Sequence, residues 1–375
     1  MTRDVICLGC PNGCHLVMQA QDGQELELQG HCCEKGVDFA RTLMDGERNG
    51  PLLPERPVVY DDDALGEIAA FWEISLKAVH RSLIPDGSPE RTLFRAVIED
   101  RQGNRFVLER IPASANYAKM RIIHSLTFLS QKGLAGITPY LVGAGGEAIH
   151  RCDRGLWQLA PYVAGVPLDR LTYLYEGWRA EVLSRFLIEL REKSCGIPFF
   201  SLEEKFSLRD YIYTLIHRIE GHAPEILPQI GQTLAFLEKD FMGAYDRLPS
   251  GFCHGDYHPL NIIWGNAEIR SVIDWEFTGL KPEIYDLANM VGCLGIEHPS
   301  SLARDLVTGL IARLRAAAVF SDISWEHFLG FVVALRFAWL SEWLRKNDRE
   351  MIDLELEYMS LLIRNSSQLH RKWKM

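Results

Sequence analysis

Two carboxylates and an amide stand at a spacing that suits phosphoryl transfer. In the segment His254-Gly-Asp-Tyr-His-Pro-Leu-Asn261, Asp256 lies five residues before Asn261, and Asp274 follows thirteen residues after Asn261 in Ile273-Asp-Trp-Glu276. A carboxylate such as Asp256 can orient a hydroxyl nucleophile and accept its proton. Amide and carboxylate oxygens, here on Asn261 and Asp274, are the hard ligands that Mg²⁺ prefers. The set therefore predicts a site that transfers a phosphoryl group from ATP.

Two other interpretations of this segment are weaker. His254 and His258 lie four residues apart, as the ligands of a zinc hydrolase do on a helix. Gly255 and Pro259 oppose a continuous helix there, which argues against that motif. A surface loop whose polar residues only satisfy turns would explain one such residue, but not the whole spaced set.

Short apolar strands must bring the predicted magnesium ligands together. The segments 261–264 and 272–273 flank Gly265-Asn266, a sequence typical of a β-hairpin. Such a hairpin would place Asn261 beside Asp274.

The rest of the chain indicates an α+β protein. The acidic triplet Asp61–Asp63 predicts a helix start, with apolar residues at helical spacing as far as Val79. Strands are expected at 91–99 and 105–111, joined by a turn at 100–104, and shorter strands at 137–142, 148–152 and 156–161. A helix is expected from about 116 to 132, ended by Gly133, and from about 168 onward the pattern is mainly helical apart from 251–276.

The segment from His254 to Asn261, taken with Ile273-Asp-Trp, resembles the aminoglycoside phosphotransferase-like kinases, a family that includes kinases of choline, homoserine and sugars. The resemblance covers about residues 64–375. It implies a two-lobed protein-kinase-like fold, with an N-lobe and hinge at 64–165 and a helical C-lobe at 166–375. It also implies ATP and magnesium as cofactors, Asp256 as catalytic base, Asn261 and Asp274 as magnesium ligands, and bracing roles for His254 and His258. Asp286, in Tyr285-Asp-Leu-Ala288, matches a helix-start position of the family.

The same resemblance assigns the nucleotide-binding half. The segment from Gln158 through Ala160 and Tyr162 resembles the hinge, where backbone groups meet the adenine. A cation that holds the phosphates is expected on the strand 106–110, where Glu109 takes the best-aligned position. Arg110, the next residue, is the expected cation. Because successive strand residues face opposite ways, this role requires a local irregularity; the alternative leaves Arg110 on the outer face. Asp86-Gly-Ser-Pro-Glu90 is the nearest substitute for a glycine-rich loop.

A cysteine-rich module is predicted at residues 1–50, followed by a linker at 51–63. Cys7, Cys10, Cys14 and Cys33, with Cys32 as a spare, have the close spacing of metal ligands, and either zinc or an iron–sulfur cluster fits four thiolates. The segment resembles the N-terminal [4Fe–4S] module of molybdopterin oxidoreductases and a cysteine-rich domain that accompanies some flavin dehydrogenases. It could also be a docking surface for a protein partner.

Charge and hydrophobicity argue against a nucleic-acid-binding protein and against a membrane-spanning protein. The net charge of -10 argues against a nucleic-acid binder with a broad basic surface. The longest apolar run, 328–340, is interrupted by Arg336 and is too short to cross a bilayer, so a cytoplasmic protein is expected.

The leading hypothesis is an ATP- and magnesium-dependent kinase that acts on a hydroxyl of a small molecule, such as a sugar, an amino alcohol or an aminoglycoside-like compound. Candidate acceptor-binding residues in the C-lobe are Glu276, Glu283, Glu297, Arg336 and Glu342. The alternative is an inactive nucleotide-binding module coupled to a redox- or metal-sensing cysteine cluster.

Overall fold

The chain forms two compact units in a computed structural model. Unit 1 comprises Met1–Ile123 and Pro139–Tyr162, and unit 2 comprises His124–Thr138 and Val163–Met375. The structure describes residues 60–83, 91–152, 154–170, 172–198 and 206–374. It also describes the backbone of an antiparallel sheet of strands β1, β2 and β3, at Thr2–Ile6, His15–Gln19 and Glu27–Gln29.

Unit 1 is built around a five-stranded antiparallel sheet. Its strands are β4 (Leu76–Val79), β5 (Phe94–Asp100), β6 (Arg105–Ile111), β7 (Ile149–Cys152) and β8 (Gly155–Pro161), in the order β4-β5-β6-β8-β7. Alternate residues of these strands pack against the preceding helix α1 (Asp62–Ala69). This core includes Leu65 and Ile68 from the helix and Leu108, Trp157 and Leu159 from the sheet. One face of the sheet is thereby filled.

Helix α1 begins as expected and ends earlier than expected. Asp61 is the N-cap residue, and its carboxylate accepts the Ala64 N–H at 2.8 Å. The predicted continuation of the helix through Leu76 and Val79 is wrong. A 3₁₀ turn at Ala70–Trp72 leads to Glu73, which has a left-handed backbone (φ 59°), and the chain then runs as strand β4. The backbone N–H and C=O groups of β4 bond to β5. The helical spacing of the apolar residues gave no sign of this pairing.

Most of the predicted elements on either side of the β5–β6 hairpin are confirmed. The hairpin turn is closed by Asp100, whose side chain accepts the Asn104 N–H at 2.8 Å. Helix α2 spans Asn116–Gln131 and is followed by Gly133 at φ +76°. The strand expected at 137–142 is wrong, because Leu141 makes a backbone hydrogen bond to Leu159 without continuing into a strand.

Unit 2 is mainly helical, as predicted. Within the described part of the chain its helices are α3 Trp178–Lys193, α4 Leu208–His222, α5 Leu227–Lys239, α6 Phe241–Ala244, α7 Tyr285–Glu297, α8 Asp305–Ala316, α9 Asp322–Glu326, α10 Phe328–Lys346, α11 Arg349–Arg364 and α12 Ser366–Trp373. Helix α10 supplies much of the core, with Phe328, Phe331 and Phe337 fully buried. None of the described helices has the length and apolar character needed to cross a membrane.

Two short antiparallel pairs interrupt the helices of unit 2. Strand β9 (Ser250–Cys253) pairs with β12 (Gly279–Pro282), and β10 (Ile262–Trp264) pairs with β11 (Ile269–Val272). The chain between β9 and β12 carries Asp256, Asn261 and Asp274.

Candidate active site

The backbone of the loop that carries Asp256 is held in place by the side chain of Asp286. Asp286 lies in the first turn of α7, and its two carboxylate oxygens accept the backbone N–H groups of His254 (2.7 Å) and Gly255 (2.8 Å). Burial raises the pKa of this carboxyl, while the hydrogen bonds from the two N–H groups act in the opposite direction. The helix-start position that the resemblance implied for Asp286 therefore has a specific geometry here: the side chain holds the backbone of the loop that carries Asp256.

His254 makes a hydrogen bond with each of its ring nitrogens to the backbone of this segment. Its Nδ1 accepts the Asp256 N–H at 3.1 Å, and its Nε2 donates to the Ile273 carbonyl at 2.9 Å. Only the neutral imidazole can accept at one nitrogen and donate from the other. Burial lowers the pKa of His254, which favours that neutral form.

The backbone turns sharply at Gly255. Its φ of +87° is in the region that glycine adopts without strain, and a Cβ placed there would lie 2.1 Å from the Phe277 carbonyl oxygen. Both the conformation and the close approach therefore require glycine. The helix that a His-x-x-x-His zinc site needs is absent from this segment, which the structure describes in full.

Asp256 is surrounded by donors. The Asn261 amide donates from Nδ2 to Asp256 Oδ2 at 3.0 Å, and His258 Nε2 lies 3.5 Å from the same oxygen. The Asn289 amide approaches Oδ1 at 3.5 Å. Burial disfavours the Asp256 carboxylate, but His258, His254 and Asn261 outweigh it and hold the pKa below its ordinary value. Asp256 is thus held ionised, as the acceptor of a hydroxyl proton must be.

The predicted hairpin brings the two magnesium-ligand candidates to neighbouring positions. Ile262 pairs with Val272, and the Ile273 N–H donates to the Asn261 carbonyl at 2.9 Å. Because Asn261 uses its Nδ2 on Asp256, its side-chain oxygen is the atom left for a cation. Asp274 has a left-handed backbone (φ 61°, ψ 62°), a conformation that Asp tolerates better than most residues. The amide and carboxylate oxygens at this hairpin end are suitable donors for Mg²⁺.

In the part of the chain that is expected to bind nucleotide, Arg110 and Glu109 lie on opposite faces of the unit 1 sheet. Strand β6 pairs with β5 and β8 in an uninterrupted register, so β6, described in full, lacks the irregularity that a clamping role for Arg110 requires. Arg110 shares its face with Leu108, which packs against α1. Glu109, on the other face, bonds to Arg95 and Gln158.

The predicted hinge residues lie at the end of β8. Gln158 is fully buried, and its side chain donates to Glu109 at 2.7 Å. Ala160 is paired with Val107, and the Tyr162 N–H donates to the Arg105 carbonyl at 2.8 Å. The sheet therefore uses the Tyr162 amide, and a contact between these backbone groups and adenine stays a prediction.

Two further residues contact the predicted site residues and were not identified from the sequence: Asn289, which approaches Asp256, and Arg95, which bonds to Glu109. Asn289 lies three positions after Asp286 on α7, and helical spacing from Asp-Leu-Ala could have indicated that it faces the same loop. Arg95 is directly opposite Glu109 on β5, a relationship that depends on strand register.

Most of the candidate acceptor-binding residues are engaged elsewhere in the chain. Glu283 bonds to Arg191 (2.6 Å), Glu297 to Arg170 (3.3 Å), Glu342 to Arg345 (2.8 Å), and Arg336 to Glu355 (2.9 Å). Glu276 follows Trp275 in a short 3₁₀ helix beside Asp274.

Cys7, Cys10, Cys14 and Cys33, and the segment 86–90, lie outside the described residues. Within the part of the chain that is described, no group of three or more His, Cys, Asp or Glu side chains forms a candidate metal centre. The cysteine site therefore remains a prediction.

The fold is similar to the folds of several solved phosphotransferases and kinases. An aminoglycoside phosphotransferase from Alicyclobacillus acidocaldarius matches with a TM-score of 0.60 at 13% identity, over 86% of this chain and 98% of that one. Amicoumacin kinase hAmiN, in complex with AMP-PNP, Ca²⁺ and Ami, matches with a TM-score of 0.60 at 13% identity, over 81% and 93%. A choline/ethanolamine kinase family protein from Mesorhizobium loti matches with a TM-score of 0.52 at 13% identity, over 90% and 98%. At these identities the likeness concerns the fold.

No curated protein matches the sequence significantly. The model of the phosphotransferase enzyme family matches residues 82–320, which is more than half of the chain and includes the whole segment from His254 to Asp286. The expected kinase-like fold is confirmed, and the chain belongs to the phosphotransferase enzyme family.

Proposed function

We propose that the protein transfers the γ-phosphoryl group of ATP to a hydroxyl group of a small molecule. The observation that carries this proposal is the joint placement of Asp256, Asn261 and Asp274. The Asn261 side chain bonds to Asp256, and the Asn261 backbone bonds to Ile273, the residue before Asp274. One residue thus connects a carboxylate suited to proton acceptance with a second one suited to a metal.

In the proposed reaction, Asp256 orients the acceptor hydroxyl and accepts its proton. The hydroxyl oxygen forms a bond to the γ-phosphorus, the bond from that phosphorus to the β–γ bridging oxygen breaks, and ADP leaves with the bridging oxygen. Asn261 and Asp274 would hold the magnesium ion, which when bound neutralises charge on the phosphates. His254 and Asp286 keep the loop in place, so the enzyme supplies position and charge rather than a covalent intermediate.

Exposed apolar side chains beside the metal ligands support nucleotide binding. Ile273 is 38% exposed immediately before Asp274, and Leu260 is 51% exposed immediately before Asn261. These apolar side chains are not packed in the core of the protein, and they are therefore available to contact a bound ligand.

We expect the acceptor to be a compound whose binding does not require several unpaired carboxylates of the protein. Candidates Glu283, Glu297 and Glu342 are each neutralised by an arginine of the same chain. A polycationic acceptor would have to compete with those ion pairs, so neutral sugars and amino alcohols with one amine fit better than a multiply charged aminoglycoside.

The test is ATP-dependent phosphorylation across a panel of sugars, amino alcohols, amino acids, macrolides and aminoglycosides. Asp256→Ala should lose at least about a hundredfold in kcat on the accepted compound, as expected for loss of general base catalysis. Asp246→Ala, at an exposed carboxylate that pairs with Arg209, is the matched control. If wild type and Asp256→Ala are equal on every compound, the proposed reaction is wrong. Nucleotide binding without turnover would instead support the inactive, cysteine-coupled module.

We further propose a metal centre at Cys7, Cys10, Cys14 and Cys33, supported by their spacing alone. Protein purified anaerobically should contain either iron with sulfide or zinc, and substitution of Cys10 by Ser should lower that content. Metal-free protein would contradict the proposal. The same measurement distinguishes zinc from an iron–sulfur cluster, because only the cluster contains iron and sulfide.

A further inference from the structure

Two tryptophans of helix α10 form an aromatic pair that the core of unit 2 does not enclose. Trp339 and Trp343 are four residues apart, which places them on the same side of the helix. Their rings are stacked, with centroids 6.0 Å apart and planes inclined by 30°. Both side chains are half-buried, whereas the phenylalanines of the same helix are fully buried. The pair therefore presents aromatic surface that the packing of α10 does not use.

This aromatic pair continues from the proposed catalytic base. His258 Nε2 lies 3.5 Å from Asp256 Oδ2. The His258 ring meets Trp339 edge-on, with ring centroids 6.0 Å apart. Trp343 extends the row one helical turn further, and all four residues belong to unit 2. Trp339 is thus separated from the Asp256 carboxylate by a single imidazole ring.

The two indoles are held in place by a buried ion pair. Trp343 Nε1 donates to Glu355 Oε1 at 3.4 Å, and the same carboxylate binds Arg336. The Arg336 guanidinium lies 5.7 Å from the centre of the Trp339 ring. Since Arg336 and Glu355 are almost fully buried, both indoles contact a part of the fold that solvent does not reach. Rings fixed in this way lose little conformational freedom when they bind a ligand.

The charges around the pair favour a neutral ligand. Arg336 lies 5.7 Å from the centre of one ring, and Lys346 Nζ lies 5.1 Å from the centre of the other. Each ring therefore already has a cation within the distance at which an aromatic ring attracts one. Glu342 is the one carboxylate of α10, which is described in full, and it bonds to Arg345 and Lys346. An ammonium ligand would gain little attraction on this surface.

We propose that Trp339 and Trp343 bind the phosphoryl acceptor, and that this acceptor is a neutral pyranose whose C–H face stacks on the indoles. The inference rests on the proposed kinase function and names the class of its acceptor. A six-membered sugar ring carries C–H bonds on its faces and hydroxyl groups around its rim, so it presents apolar surface to an aromatic ring while a rim hydroxyl points elsewhere. That hydroxyl is directed to Asp256, which takes its proton as ADP leaves. Amino alcohols and open-chain polyols have no such face.

The first test is binding without turnover. The full chain is titrated, without ATP, by saturation-transfer NMR with methyl β-D-glucopyranoside, methyl β-D-galactopyranoside and methyl α-D-mannopyranoside. At least one of them should bind and show transfer to its ring C–H protons. Glucitol, an open-chain polyol, and ethanolamine should bind at least roughly tenfold more weakly, because they lack the aromatic contact. The proposal is overturned if none of the three pyranosides binds.

Trp339→Leu should weaken binding of the pyranoside roughly tenfold, as expected for loss of an aromatic contact and its buried area. Trp339→Phe keeps a ring against His258 and should recover most of the affinity. Trp343→Leu leaves the contact with His258 in place and should also weaken binding. Tyr213→Leu is the matched control, because Tyr213 is an exposed aromatic residue of unit 2 whose hydroxyl bonds to Glu238 at 3.2 Å. Wild-type affinity in both leucine variants of the tryptophans, or in Trp343→Leu alone if Trp339→Leu does not fold, overturns the proposal.

Turnover separates this inference from the proposed function. With Mg·ATP, Trp339→Leu should raise the KM for the accepted pyranose roughly tenfold and leave the KM for ATP unchanged. An equal rise in both KM values would mean a structural role and overturn the inference. Phosphorylation of amino alcohols but of no pyranose would overturn the inference and support the kinase. Pyranoside binding that depends on Trp339, without phosphorylation, would support the contact and overturn the proposed reaction.

Discussion

The imidazole of His254 donates a hydrogen bond from Nε2 to the backbone carbonyl of Ile273, 2.9 Å away. Since the other ring nitrogen accepts the Asp256 N–H at 3.1 Å, the ring connects the proposed catalytic base to the segment that carries Asp274. Protonation would place a hydrogen on Nδ1 and turn that acceptor into a second donor. The connection therefore depends on the charge state of one buried ring.

Stability should fall as the pH drops below the ordinary pKa of histidine, about 6.5. Burial lowers the pKa of His254 in the folded chain, so below that pH the unfolded chain binds a proton that the folded chain does not. Urea unfolding between pH 5 and pH 8 should show stability rising with pH. His254→Gln, which does not titrate, should reduce the slope. His217→Gln, at an 88% exposed side chain, is the control, and an unchanged slope in His254→Gln would contradict the prediction.

Gly255→Ala should abolish activity and destabilise unit 2. Gly255 and Gly103 have nearly the same φ, +87° and +88°, but only Gly255 lacks room for a Cβ, which would meet the Phe277 carbonyl oxygen at 2.1 Å. Gly103→Ala should lower the free energy of unfolding by about 1 kcal/mol, because it introduces backbone strain without a steric clash. Gly255→Ala should cost more, about 3 kcal/mol or above, because backbone atoms must move. Equal losses in thermal unfolding would show that the close approach has no effect.

The buried ion pair of Arg336 and Glu355 should respond differently to single and double substitution. The two side chains are 2% and 1% exposed, and Arg336 donates from Nε to Glu355 at 2.9 Å. Arg336→Leu should cost about 3–5 kcal/mol in urea unfolding, because the Glu355 carboxylate stays buried without its cation.

The double variant Arg336→Leu/Glu355→Leu should recover most of that loss, since it leaves no buried charge. Glu342→Gln, in a half-exposed pair with Arg345, should change stability by less than about 1 kcal/mol. A double variant as unstable as the single one would mean that packing, rather than charge, holds α10 to α11.

The hairpin that brings Asn261 close to Asp274 could be predicted from sequence because the residues that specify it are neighbours in the chain. Asp256 and Asn261 share one loop, and the hairpin that brings Asn261 to Asp274 is specified by apolar strands on either side of Gly265-Asn266. The helix start at Asp61 was equally local. In each case the interacting groups are a few residues apart or joined by one turn.

Residues whose role depends on distant pairing could not be predicted in this way. The apolar spacing of Leu76 and Val79 fitted a helix, but pairing with β5 made this segment a strand. Arg95 was missed because its position opposite Glu109 follows from the register of two strands, and the contact of Glu109 with Gln158 follows from a third, 49 residues away. Sequence alternation shows that Glu109 and Arg110 point to opposite faces, but not which face α1 fills.

The carboxylate of Asp286 holds the catalytic loop through main-chain N–H groups rather than through side chains. Such groups do not depend on the side chains around them, although Gly255 itself must stay glycine for its backbone conformation and its close approach to Phe277. The loop can therefore keep its shape while exposed side chains nearby, such as Leu260, are exchanged. A scaffold that separates shape from side-chain identity can acquire a new acceptor by point substitution without rebuilding its reaction centre, and directed evolution toward new acceptors should leave Asp286 unchanged.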